Sequence, residues 1–134
     1  MDDAQIQQIL AGMKRVAVVG LSPKPDRASH GIARWLLGLG VEVVGVNPAH
    51  TEILEVPVYP DLASVPGRVD IVDLFRRSEH VEPFVRAAVA RGDGAIWMQE
   101  GVVNEAAAAV AAAAGIPVIM DRCLYKEWLR LRNT

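Results

Sequence analysis

The chain has one cysteine, Cys123. No intrachain disulfide can brace it, and a lone thiol offers no ligand cluster for a structural zinc. No apolar run approaches the ~20 residues that a membrane-spanning helix needs. The first residues carry acids and glutamines instead of a basic start followed by an apolar stretch, so neither a signal nor a transit peptide is expected. These absences predict a soluble, cytoplasmic protein with no membrane partner and no metal. Lysine is scarce too, and the net charge of −2 over 134 residues supplies no broad basic face to displace counterions from phosphates. Nucleic acid is therefore not an expected partner. The dinucleotide fingerprint G-x-G-x-x-G is missing, as is a phosphate loop ending in Gly-Lys-Ser/Thr, which argues against an NTPase.

What the chain does contain is an alternation of two patterns. Residues 15–20 (RVAVVG), 41–46 (VEVVGV), 70–75 (DIVDLF), 95–98 (AIWM) and 118–120 are short apolar runs, the mark of strands buried on both faces of a parallel sheet. Between them lie helical spacings. Residues 2–12 carry Ile6, Ile9 and Leu10 on one face behind an Asp cap and before Gly12, and read as a lead helix packed on the sheet edge. Ile32, Trp35, Leu36 and Leu39 mark a helix closed by Gly40. Ser78 is placed to cap another that runs through Val81, Phe84, Val85, Ala88 and Val89 to Gly92, with Pro83 limiting its first turns. The alanine-rich stretch from Asn104 to Ala114 has an Asn cap and a Gly115 stop, and a last helix carries Leu124, Trp128 and Leu131. Residues 53–59 and a short turn around 61–66, after Asn47-Pro48, need no regular helix.

Strands alternating with helices give right-handed βαβ units. The fold class predicted is α/β, one Rossmann-like domain over 1–134 with a five-stranded parallel sheet in the order 3-2-1-4-5 and helices on both faces. In such a sheet a ligand lies beyond the carboxyl ends of the strands. That rule nominates the loop after the first strand, Asn47-Pro48 after the second, residues 75–78 after the third, 99–101 after the fourth and 121–123 after the last.

In the first of these loops Gly20 permits close backbone approach, while Ser22, Lys24, Arg27 and Ser29 supply donors beside a helix N-terminus. A phosphate site and a proline-stiffened loop with Ser29 as an ordinary cap are both compatible with this local sequence. At the end of the second strand a domain preferring NAD normally places an acid on the adenosine ribose. Asn47 stands there instead, which removes repulsion against a phosphate on that ribose, although a plain turn is equally compatible. Among catalytic alternatives, Cys123 and His30 would have to meet above the sheet from separate loops. A free cysteine at a strand end is more often an apolar filler, and a histidine in a first helical turn more often surface. Glu100 lacks a second positioned carboxylate. Asp73, inside an apolar run, reads as a hydrogen-bonded structural acid rather than a nucleophile. No catalytic residue is assigned.

Five segments in order, VVGLSPKPDRASHGIARWLLGLG, VVGVNP, VPVYPDLASVP, WMQEGVVNE and MDRCLYKEW, resemble stand-alone CoA-binding proteins similar to the N-terminal domain of the succinyl-CoA synthetase alpha subunit. The resemblance spans nearly the whole chain. It implies a coenzyme A site in which Gly20, Ser22 and residues 24–27 face the phosphates and Asn47-Pro48 lies near the adenosine end. Phe75 and Arg76 would flank the adenine, and Gln99, Glu100 and Gly101 would look toward the pantetheine arm. Arg122 belongs to the tail motif of the stand-alone members. Two departures limit what carries over: LSPKPDRAS replaces the synthetase's glycine-rich turn, and the region bearing its phosphorylated histidine is absent from this sequence. The expectation is a non-catalytic module for CoA or an acyl-CoA whose protein partner, if any, is unidentified. An NAD(H)-binding redox sensor or small oxidoreductase on the same fold is the alternative.

Overall fold

The computed structural model describes residues 1–133. Its strands are β1 (Arg15–Val19), β2 (Glu42–Val46), β3 (Glu52–Ile53), β4 (Val56–Tyr59), β5 (Ile71–Leu74), β6 (Ala95–Met98) and β7 (Val118–Ile119). The helices are α1 (Asp3–Ala11), α2 (Ala28–Gly38), α3 (Glu82–Arg91), α4 (Glu105–Ala113) and α5 (Leu124–Leu131). The strands form one sheet in the order β3-β4-β2-β1-β5-β6-β7. Every pairing is parallel except the short β3–β4 hairpin.

This corrects the five-stranded expectation. Residues 53–59, read as irregular, supply the strand that lies outside β2. Gly45 and Val46 pair with Val58 and Tyr59, while Pro57 sits opposite Glu52 in the hairpin, near the sheet edge where a missing N–H is tolerated. Residues 71–74 therefore lie on the other side of β1, not beside β2 as the order 3-2-1-4-5 required. The architecture remains α/β and Rossmann-like.

Alternation along the central strands sends side chains to two cores. Val16, Val18, Ile71 and Trp97 meet Ile6 and Leu10 of α1, Ile32 and Leu36 of α2, and Leu124 and Leu131 of α5. Ala17, Val19, Val72 and Ile96 meet Val85 and Ala88 of α3 and Ala107 and Ala111 of α4. Helix α1 is thus a face helix, not an edge helix. It is capped by Asp2 with a reciprocal bond from Gln5 and tied to α5 through Asp3–Arg130 and the Gln7 amide on the Leu131 carbonyl.

Two local expectations change. Ser78 lies in a 3-10 turn and caps nothing; its hydroxyl bridges the Gly101 carbonyl and the Val103 N–H, tying the β5 loop to the β6 loop, and α3 starts at Glu82 behind it. Asn104 caps α4 as its sequence implies, accepting from the Ala107 N–H. No helix is long and apolar enough to cross a membrane among the described residues, and no cluster of His, Cys, Asp or Glu there is arranged to hold a metal.

Candidate functional site

The parallel ladder continues past the strand ends. The Gly20 N–H donates to Val46 O at 2.9 Å and the Phe75 N–H to Val19 O at 2.9 Å. Gly20 has φ +86°, and a Cβ there would lie 2.8 Å from the Phe75 carbonyl oxygen. Only glycine allows this close approach of the two turns. Asn47 braces the same rim. Its Nδ2 donates to Leu21 O at 2.9 Å and its Oδ1 accepts from the Ala49 N–H at 2.8 Å, a use of both ends of the amide that fixes its orientation.

Residues 20–29 are folded by three more polar side chains. Buried Ser29 accepts the Ser22 N–H on its Oγ at 3.0 Å, and Ser22 Oγ accepts the Lys24 N–H at 3.1 Å. His30 Nδ1 lies 2.9 Å from Ser22 O; a carbonyl only accepts, so Nδ1 carries the proton. His30 is 6% exposed, correcting its reading as a surface residue. Ser29 is not the cap of α2 either. Arg27 occupies that position and makes no side-chain capping bond; its carbonyl accepts the His30 N–H, which leaves the Ala28 and Ser29 N–H groups without an acceptor among the described residues. They border a cavity of about 310 Å³ lined by Gly20, Ser22, Arg27, Ala28, Ser29 and Phe75. Backbone N–H groups, the positive end of a helix and a guanidinium together make an anion-binding arrangement.

Ala28 and Phe75 are shared with a second, larger hollow of about 480 Å³. From α2 it takes Gly31, Ile32 and Trp35; from the β6 end, Gln99 and Glu100; and from the last segment, Cys123 and Tyr125. Trp35 meets Tyr125 edge-on at 5.0 Å. The walls are mostly apolar, and one buried polar group is aimed between them. Gln99, 6% exposed, accepts the Leu124 N–H on Oε1 at 3.0 Å. That bond fixes its amide and leaves Nε2 with no protein partner among the described residues. At the lip, Glu100 pairs with Lys126 at 3.0 Å, and this hydrogen bond is the main cause that raises the Lys126 ammonium above its ordinary value.

The structure gathers most of the predicted residues at this edge of the sheet, in different roles. Gly20, Ser22, Arg27 and Ser29 line the mouth, and Gln99 and Glu100 line the groove. Phe75 divides the two. Arg76 lies over the Phe84 ring at 5.7 Å. Pro48 borders a separate hollow of about 440 Å³ with His50 and Pro60. Lys24 stands exposed on the rim, where the Arg27 N–H closes a turn onto its carbonyl at 3.1 Å. The Gly101 N–H donates to Asp121 Oδ1 at 2.7 Å, and Asp121 itself sits at φ 59°. The Arg122 guanidinium is engaged by Glu127 at 3.3 Å, while its carbonyl accepts the Trp97 indole N–H at 2.7 Å. Cys123 and His30 do not share the groove: Cys123 lines it and His30 is turned to Ser22.

The groove wall formed by Gly31, Ile32, Trp35 and Tyr125 was missed by the sequence reading, because these residues look like ordinary apolar helix positions. Asp73 departs from expectation as well. It is buried on β5 with neither carboxylate oxygen hydrogen-bonded among the described residues, and burial pushes its pKa well above the usual carboxylate range.

This is an α/β domain whose strand ends carry a polar mouth at the α2 N-terminus next to an apolar groove. Residues 14–128 match the family model described as CoA binding domain, and the chain belongs to that family. It is 40% identical over 121 residues, 90% of each chain, to the uncharacterized protein YneT of Bacillus subtilis. A hypothetical protein from Pyrococcus horikoshii superposes with a TM-score of 0.94 at 33% identity, covering 98% of this chain and 93% of the other. The dinucleotide-forming acetyl-coenzyme A synthetase 1 of Ca. Korarchaeum cryptofilum, solved with phosphate and ADP, matches 79% of this chain with a TM-score of 0.72 at 25% identity; the match spans 25% of that enzyme.

Proposed function

We propose that this protein is a non-catalytic module that binds coenzyme A or an acyl-CoA across the carboxyl ends of β1, β2, β5 and β6. The observation that carries the reading is the adjacency of the uncapped α2 mouth and the apolar groove, which share Ala28 and Phe75 in their walls. A ligand with an anionic head and a long, weakly polar arm matches that pair of spaces, and family membership supports coenzyme A as that ligand.

In this reading the pyrophosphate lies on the α2 N-terminus beside Arg27, with Lys24 adding charge from the rim. The adenosine end extends toward Asn47-Pro48, where an amide takes the place of a strand-end acid and His50 and Glu52 share the hollow beside Pro48. The pantetheine arm crosses Phe75 into the groove, and Gln99 Nε2 donates to one of its amide carbonyls. Such donors bind anions and amides well because their desolvation is already met by fixed geometry. Among the described residues no catalytic pair lines the groove, so binding rather than turnover is the proposed role, in the cytoplasm.

Calorimetric titration of ligand-stripped protein with CoA, dephospho-CoA, acetyl-CoA and NAD tests this. Micromolar or tighter CoA binding that weakens for dephospho-CoA is expected. NAD binding without CoA binding would overturn it and favour the redox alternative.

A further inference from the structure

The groove that receives the arm in the proposed CoA site also holds the chain's only thiol. Cys123 is half-buried and lines the groove wall. It is joined to the polar group in that groove through one bond: Gln99 Oε1 accepts the N–H of Leu124, the residue after Cys123, at 3.0 Å. The free Nε2 of a side chain more than nine-tenths buried belongs to the same groove that Cys123 lines, and calls for a carbonyl. In pantetheine the terminal amide carbonyl carbon is followed by one nitrogen and two methylenes before the sulfur. A carbonyl seated on Gln99 Nε2 delivers that sulfur to the same end of the groove as Cys123. Resting on the CoA reading above, this places two sulfurs together in a largely apolar space.

We propose that Cys123 exchanges with CoA disulfide to hold one CoA as a mixed disulfide. The Cys123 sulfur, having given up its proton to solvent, attacks one sulfur of the CoA–S–S–CoA bond. The Cys123–S–S–CoA bond forms, the original S–S bond breaks, and the second CoA leaves as a thiolate that takes up a proton. One disulfide is consumed and one is made, so no other oxidant enters. The nucleotide end supplies the selectivity, because it anchors in the mouth and presents the disulfide to Cys123 at high local concentration.

The test incubates the reduced, ligand-stripped full chain with CoA disulfide and follows intact mass. The expected product gains one CoA less two hydrogens, returns to the starting mass with dithiothreitol, and is absent in Cys123→Ser. Its formation should saturate with CoA disulfide and run about tenfold or more faster than with glutathione disulfide, which has no nucleotide to anchor. Acetyl-CoA, which fills the site without exchanging, should slow it. Equal rates with the two disulfides, or no protection by acetyl-CoA, would reduce Cys123 to an ordinary accessible thiol and overturn the proposal. Calorimetry with Cys123→Ser separates the two readings. If it binds CoA while the wild type forms no adduct, the exchange fails and the binding function stands; if neither chain binds CoA, both fall.

Discussion

Replacing Asp73 with asparagine should change how stability depends on pH. The side chain is buried on the central strand β5, its oxygens have no hydrogen-bond partner among the described residues, and desolvation raises its pKa well above the ordinary value. The folded state therefore keeps the proton at pH values where the unfolded chain has released it. The unfolded state binds fewer protons in that window, so stability is greatest below the unfolded pKa of about 3.9 and falls as pH rises toward the folded pKa. The slope is about 1.4 kcal/mol per pH unit for one group. Above about pH 4.5 the wild type should therefore lose stability through this residue, at up to that slope, until the folded carboxyl ionises. Asp73→Asn cannot titrate and should lack that component. Asp3 and Asp70, whose carboxyls are held below their ordinary values, titrate in both proteins and cancel in the difference. Urea midpoints at half-unit pH steps give the comparison. Parallel curves for the two proteins from about pH 4.5 to 8 would refute the assignment of a buried neutral carboxyl.

Other substitutions probe the site and its frame. Gly20→Ala forces a Cβ against the Phe75 carbonyl in a left-handed conformation and should cost roughly 1–3 kcal/mol in chemical denaturation, with CoA affinity lost in parallel. Arg27→Ala should weaken CoA binding about tenfold in calorimetry with Tm unchanged, since the guanidinium is exposed and charge-assisted bonds are worth roughly 1.5–3 kcal/mol. Asn47→Ala removes both bonds that brace residues 21 and 49; a loss of roughly 1–3 kcal/mol is expected, with faster amide exchange across residues 20–29. Asp93→Ala leaves Arg91 without its carboxylate and the Val69 N–H without its acceptor, and a loss of about 3–5 kcal/mol is expected for this buried pair.

Five of the seven strands were readable as short, mostly apolar runs, because burial on both faces leaves a composition that needs no partner information. The Val56–Tyr59 strand was not. It lies near the edge, contains Pro57 and alternates buried with exposed residues, so locally it looks like a turn-rich connector. Misplacing that one strand displaced the Ile71–Leu74 strand to the wrong side of β1. The strand-end rule nominates the same loops in either order, because it depends on the direction of the strands and not on their sequence across the sheet. Its internal wiring did not emerge in advance. The bonds from Ser29 and His30 to Ser22, and from Gln99 to Leu124, join segments whose contact appears only after folding. The isolation of Asp73 was equally hidden, since an acid within an apolar run suggests a partner that only the packed neighbours could supply or withhold.

The backbone contact between Gly20 and Phe75 bears on kinetics as well as shape. Two turns packed main chain against main chain, with Asn47 pinning the adjoining loop, leave the anion mouth little freedom to open or close. Association should then proceed without a slow conformational step, with single-phase rates that rise linearly with ligand concentration and fall with added salt as the Arg27 and Lys24 charges are screened. The ordering that does accompany binding falls on those long side chains and on the ligand's own arm. Tighter analogues are accordingly better sought by stiffening the pantetheine than by reshaping the protein.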